Sequence, residues 1–157
     1  MKKISIYVDT SVIGGCCDPE FKEWSCRLLS HFQSGIYSLL LSTLIDAEIQ
    51  EAPDEVKTYY VKFRECAERI IELDLEIIEL ADAYLAHHII PKNYRDDARH
   101  IALATIGGAD LLVSWNFQHI VHFEKIQKFN AANIESGYKP ILIFSPREVI
   151  RYDSKSN

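Results

Sequence analysis

The sequence predicts an α/β fold of three layers, a central parallel sheet of four or five strands between helices. Three observations predict it. Short apolar runs alternate with longer segments whose apolar residues recur at helical spacing. Most of those runs are apolar throughout, as strands read when helices cover both faces of their sheet. The chain has 157 residues and no internal repeat or low-complexity segment, the size of one domain. We place that domain at residues 1–152, with a polar tail at 153–157.

Residues 4–8 are mostly β-branched or aromatic and read as the first strand. It ends on Asp9, followed by Thr10, Ser11 and a loop through Gly14 and Gly15. Phe21, Trp24, Leu28, Leu29 and Phe32 make residues 20–34 an amphipathic helix, which Gly35 stops. Residues 36–41 are the second strand; Ser42 or Thr43 then caps a short helix to 51, before Pro53. Asp54 is placed to cap a helix to about 68, with Val56, Tyr59, Tyr60 and Phe63 on one side. Residues 69–73 are a third strand, and 75–88 a helix with a buried stripe of Leu75, Ile78, Ala81, Leu85 and Ile89. Pro91 breaks it, Asn93 starts the next helix, and Gly107-Gly108 ends that one after Ile106. Residues 111–114 and 140–144 are the fourth and fifth strands, with a partly helical segment at 117–133 between them. Ser145-Pro146-Arg147-Glu148 is a helix start.

Hydrophobic residues at 48% and charged residues at 25% are ordinary for a globular chain. A formal net charge of −6 argues against wrapping nucleic acid by bulk charge and leaves room for a local basic rim. Cys16, Cys17, Cys26 and Cys66 form no C-x-x-C pair and read as thiols of a reducing compartment. The apolar run after Lys2-Lys3 stops at Asp9, too soon for a secretory signal, and no run of about 18 apolar residues predicts a membrane span. The expected location is the cytoplasm.

Asp9 by itself either caps the next helix or presents a ligand at the C-terminal end of a strand, where open parallel sheets place chemistry. Glu48, on the helix after the second strand, and Asp97, at the start of the helix before the fourth, are positioned to share that sheet edge. Three hard carboxylates converging there suit Mg²⁺ or Mn²⁺. Asp97 is preferred to Asp96 because Ile101 and Ala104 turn its face toward the core, while Asp96 sits where a capping box would use it. Asp46 and Glu51 read as solvated.

The segments Val8-Asp9-Thr10-Ser11-Val12, Ser42-Thr43-Leu44 with Glu48, Asp97-Ala98-Arg99-His100-Ile101-Ala102 and Asp110-Leu111-Leu112-Val113-Ser114-Trp115-Asn116, in that order, resemble the PIN-domain family, which includes VapC-type toxins. The resemblance covers nearly the whole chain. It implies a PIN-like sheet and a divalent-metal-dependent endoribonuclease, the toxin of a toxin–antitoxin pair, with Asp9, Glu48 and Asp97 as metal ligands. It also implies an antitoxin partner and a homodimer, which the aromatic helix around Tyr59–Phe63 would suit. The chain departs from the family at Asn116 and Gln118, where many members carry further acids. An amide oxygen can ligate or orient water but brings no charge, so the site holds at most one metal firmly.

Around these residues, Thr10 and Ser11 either support Asp9 or cap the next helix, and Ser114 suits a supporting role at the end of the fourth strand. His100 lies one turn from Asp97 and either faces the cleft or packs in the core. His119 and His122 lack zinc partners at matching spacing and read as surface or packing residues. Lys92, Arg95 and Arg99 are the phosphate-contact candidates, with solvated helix ends as the alternative. Trp115 and Phe117 either stack on an unpaired base or pack. A binding module that has lost catalysis is the second functional reading. A phospho-acceptor or phosphatase domain using Asp9 as nucleophile ranks low, because no acid stands two residues after it.

Overall fold

Five parallel strands form one sheet in the order β3-β2-β1-β4-β5 in the computed structural model, which describes residues 2–155, with side chains described to residue 151. The strands are β1 Ser5–Val8, β2 Ser38–Ser42, β3 Ala67–Ile71, β4 Leu111–Val113 and β5 Leu142–Phe144. Helices α1 Thr10–Gly15, α2 Lys22–Gln33, α3 Thr43–Ile49, α4 Asp54–Cys66, α5 Leu75–Ala86, α6 Arg95–Ile106, α7 Phe123–Glu135 and α8 Pro146–Lys155 connect and cover them. β1 is central, its Tyr7 facing Leu40 of β2 and Leu112 of β4 in register. Ile6, Tyr7, Val8, Leu39, Leu41, Leu112 and Val113 are fully buried. Such strands have no solvent face, hence runs without alternation.

Strand order reverses between β1 and β4: the chain runs outward from β1 to β2 and β3, then crosses back to β4 and β5. In open parallel sheets the crevice beyond the strand ends at such a reversal is the place for a site. Asp9 follows β1 and Ser114 follows β4, and the Asp9 N–H donates to the Val113 carbonyl at 3.3 Å. The topology therefore sets these two residues side by side although 105 positions separate them.

Several boundaries differ from expectation. Thr10–Gly15, read as a loop, is helix α1, with Asp9 at its N-cap position making no side-chain cap bond. Asp54 is the first residue of α4 rather than its cap. Neither Asn93 nor Asp96 caps α6; residues Lys92–Tyr94 form a 3-10 turn, and no side chain caps the helix. On α5 the buried face is Ile77, Leu80, Ala81 and Tyr84, while Leu75 is 69% exposed. The helix begins at Leu75, as expected, capped by the Asp74 carboxylate, which accepts from the Ile77 N–H at 3.0 Å. The helix ends at Ala86, because His88 takes the left-handed conformation (φ 58°) more often filled by glycine. Ser145 and Glu148 close a reciprocal capping box at α8, Ser145 N–H to Glu148 Oε1 at 3.0 Å and Glu148 N–H to Ser145 Oγ at 3.3 Å. Helix α8 runs through residues 153–155, part of the predicted tail, while Ser156 and Asn157 lie outside the described residues. Tyr60 and Phe63 of α4 are buried, so the aromatics read as a dimer face serve the core; Val61 of that helix is 55% exposed. Among the described residues no helix is long and apolar enough to cross a membrane.

Candidate active site

Asp9 is 4% exposed, and both its oxygens are held. The Ser11 hydroxyl donates to Oδ1 at 2.6 Å and the Ser114 hydroxyl to Oδ2 at 2.7 Å. Each hydroxyl in turn accepts a backbone N–H from the segment after β4, Trp115 to Ser11 and Asn116 to Ser114, both at 2.9 Å. With a backbone N–H on its lone-pair side, each serine has its proton directed at the carboxylate. Asp9 thus occupies a cap position without capping; its carboxylate is turned to the strand ends. Burial pushes its pKa up, the Asp97 charge adds to that, and the His100 charge and the two serine bonds oppose it.

Glu48 is held differently. The Thr10 hydroxyl and the His100 Nε2 both meet the same oxygen, Oε1, at 2.9 and 2.6 Å. His100 is 2% exposed, and its Nδ1 contacts the Tyr7 hydroxyl at 2.7 Å; that hydroxyl contacts the Ser42 hydroxyl at 2.8 Å. Ser42 also accepts the Ile45 N–H at 3.3 Å, the cap of α3, the helix that carries Glu48. Burial works to raise the Glu48 pKa, but the His100 bond and charge, with Thr10, outweigh it and hold it down. Burial works to lower His100, and the bond and charge of Glu48, with the charges of Asp9 and Asp97, raise it on balance.

Asp97 is half-buried on the first turn of α6, and burial raises its pKa against the neighbouring Asn116 side chain and the charges of His100 and His119. Asn116 turns its amide oxygen to the His119 N–H at 2.9 Å. The oxygen expected to complete a metal shell is therefore engaged within the loop. His119 is 4% exposed rather than on the surface; its Nδ1 faces the Lys125 ammonium at 3.1 Å, and its ring lies against Tyr94. Trp115 is committed to packing, stacked on Phe21 with its indole N–H on Ser25 Oγ at 2.8 Å, whereas Phe117 is 49% exposed.

The three acids feel one another's charge, Asp9 with Asp97 and Asp97 with Glu48. Two carboxyls raised by burial and by like charge, beside a third kept ionised, are a donor set whose chemistry suits a hard divalent cation. Among the described residues, however, no three acidic, histidine or cysteine groups stand close enough to enclose one. Lys92, Arg95 and Arg99 are not in this cluster. With Asp82, Leu85 and Ala86 they line a groove of about 360 Å³ against α5. At about 100° per residue, Asp97 lies roughly 200° around α6 from Arg95.

The chain matches a chain in the crystal structure of VapBC2 from Rickettsia felis bound to a DNA fragment from their promoter, with a TM-score of 0.58 over 90% of this chain and 98% of that one. The fold is PIN-like. At 14% identity the likeness concerns the fold. No family model and no curated protein matches the sequence. In this PIN-like sheet Ser114 links Asp9 to the Asn116 backbone at the β1–β4 ends, while Glu48 stands on α3 and Asp97 on the first turn of α6. All five stand out in the sequence, but the links between them do not: by sequence Tyr7 and Ser42 are only strand and cap residues. The available signal was a hydroxyl on an otherwise apolar buried strand, which needs a partner.

Proposed function

We propose that this protein is a divalent-metal-dependent endoribonuclease, hydrolysing RNA phosphodiesters in the cytoplasm as the toxin of a toxin–antitoxin pair. The observation that carries the reading is Asp9: a buried carboxylate at the strand-order reversal of a PIN-like sheet, in electrostatic contact with Asp97. Its fold neighbour belongs to a VapBC2 assembly, which supports an antitoxin as partner. Asp9, Glu48 and Asp97 would hold Mg²⁺ or Mn²⁺; such an ion, when bound, polarises a phosphate and makes a water more acidic.

The chain's own residues do the rest. Ser11 and Ser114 keep the Asp9 carboxylate in one orientation, and Thr10 and His100 keep Glu48 ionised. Asn116 positions Asp97 rather than bringing a charge of its own. Lys92, Arg95 and Arg99 bind phosphates of the RNA away from the bond that is cut, since their groove lies on the other side of α6. Homodimerisation belongs to this reading and is checked by light scattering. Incubation with structured and single-stranded RNAs, with Mg²⁺ or Mn²⁺ and with chelator, tests the activity. Cleavage that requires metal and is lost in Asp9→Asn is expected; cleavage unchanged in Asp9→Asn rejects the assignment.

A second reading is a PIN-like module that binds RNA or protein without cutting. It is favoured by one observation, that the three carboxylates do not close on a common point while His100 engages Glu48. RNA affinity without turnover at any metal concentration would decide for it.

A further inference from the structure

We propose that Tyr7, acting through His100, is a positioning residue that helps hold Glu48 by Oε1 and so leaves Oε2 for a cation. The inference rests on the metal-binding reading of this site. Both donors to Glu48, Thr10 and His100, meet Oε1. Among the described residues nothing bonds Oε2. One oxygen is pinned to the protein and the other is left for a ligand, in a side chain 30% exposed.

The chemistry of the chain behind Glu48 fixes this arrangement. An ionised carboxylate only accepts, so His100 Nε2 must carry a proton and donate it. Its other nitrogen meets a phenol hydroxyl, which both donates and accepts. Tyr7 therefore satisfies Nδ1 whether the ring is neutral or charged, and the Nε2–H bond to Glu48 persists in both states. The Ser42 hydroxyl serves Tyr7 in the same two-way manner. All of Tyr7 and nearly all of His100 are buried, and a buried polar group left without its partner is costly. Tyr7 stands on the central strand and Glu48 on a helix; the buried imidazole ties one to the other. Partners of this outer kind fix ligand orientation, and their removal typically costs 10–100-fold in metal affinity.

The test compares the wild type with Tyr7→Phe, His100→Gln and His100→Leu in the full chain. Mn²⁺ binding is measured by electron paramagnetic resonance, and the His100 ring N–H by ¹⁵N NMR without metal. The wild type is expected to show one exchange-protected Nε2–H. Tyr7→Phe should speed its exchange and weaken Mn²⁺ about tenfold, as loss of an outer-shell partner does. His100→Gln, whose amide N–H can still reach Glu48, should bind Mn²⁺ more tightly than His100→Leu. An unchanged ring signal and unchanged Mn²⁺ affinity in Tyr7→Phe overturn the proposal. If Tyr7→Phe does not fold, equal Mn²⁺ affinities of the Gln and Leu variants overturn it instead. If the wild type binds no Mn²⁺, the metal-dependent reading fails and the proposal with it; if the wild type binds Mn²⁺ but lacks a protected Nε2–H, the proposal alone is overturned.

Discussion

The hydroxyls of Ser11 and Ser114 each offset part of the cost of burying Asp9, and each is oriented by a backbone N–H that it accepts. Ser114→Ala removes one charge-assisted bond and should lower stability by about 1.5–3 kcal/mol in urea unfolding, the usual worth of a hydrogen bond to an ion. His100 governs pH dependence. Its folded pKa is raised, so its contribution is complete below the ordinary value of 6.5 and is lost as pH rises through the folded value. Glu48 is lowered, so its contribution is present above 4.5 and lost as pH falls through the folded value. Asp9 and Asp97 are raised, and their contribution, like that of His100, falls as pH rises. Stability should therefore decline as pH rises above about 6.5, and the decline should be shallower in His100→Gln. A midpoint of chemical denaturation recorded across that range checks it.

At the scale of elements, α1 is short but decisive. It sits where a loop was expected, directly after Asp9, and its last residue, Gly15, lies against Trp115. A methyl group at Gly15 would stand 2.5 Å from Ser25 Oγ and 2.7 Å from Trp115 Nε1. Gly15→Ala must therefore displace the Trp115–Ser25 hydrogen bond, and overpacking of this kind costs about 1–3 kcal/mol. Because Trp115 is joined through its own N–H to Ser11, the same change should loosen Asp9. The expected result is a lower urea midpoint together with a shifted tryptophan emission. Helix α5 offers a simpler case: Asp74→Ala removes its cap and should cost about 1 kcal/mol.

At the scale of the molecule, a cation bound by the acids would relieve the repulsion among them. Mn²⁺ at a hundredfold excess over its dissociation constant adds about 2.7 kcal/mol to stability. Thermal unfolding should move up by several degrees with Mn²⁺ and return with chelator, and Asp9→Asn should show no shift. The groove of Lys92, Arg95 and Arg99 makes a separate prediction. Replacing Arg95 and Arg99 by Ala should weaken RNA binding and flatten its salt dependence by about one counterion for each phosphate no longer neutralised. Cleavage at saturating RNA should change little, because the groove lies away from Asp97.

The sequence by itself determined the layering and the parallel strands, and it marked Asp9, Glu48 and Asp97 as candidates. Short apolar runs such as residues 36–41 and 111–114, bounded by turn residues, read as strands buried on both faces, and a carboxylate ending one of them is conspicuous. It misplaced a helix face, a helix end and one short helix. Helix α5 starts at Leu75 as read, but it turns Ile77, Leu80, Ala81 and Tyr84 to the core instead of the expected stripe. The left-handed turn at His88 closes on local bonds, Ile89 N–H to the Tyr84 carbonyl at 3.1 Å among them, in a residue type that seldom takes that conformation, whereas the helix directly after Asp9 packs against distant Trp115. Tertiary structure alone decided who holds the acids. Tyr7, Ser42, Glu48 and His100 are up to 93 positions apart, and only the crossing of the chain between β3 and β4 brings them into one buried series. Local spacing carries no trace of such a meeting, because it depends on strand order, and strand order is settled by how the helices pack on the sheet.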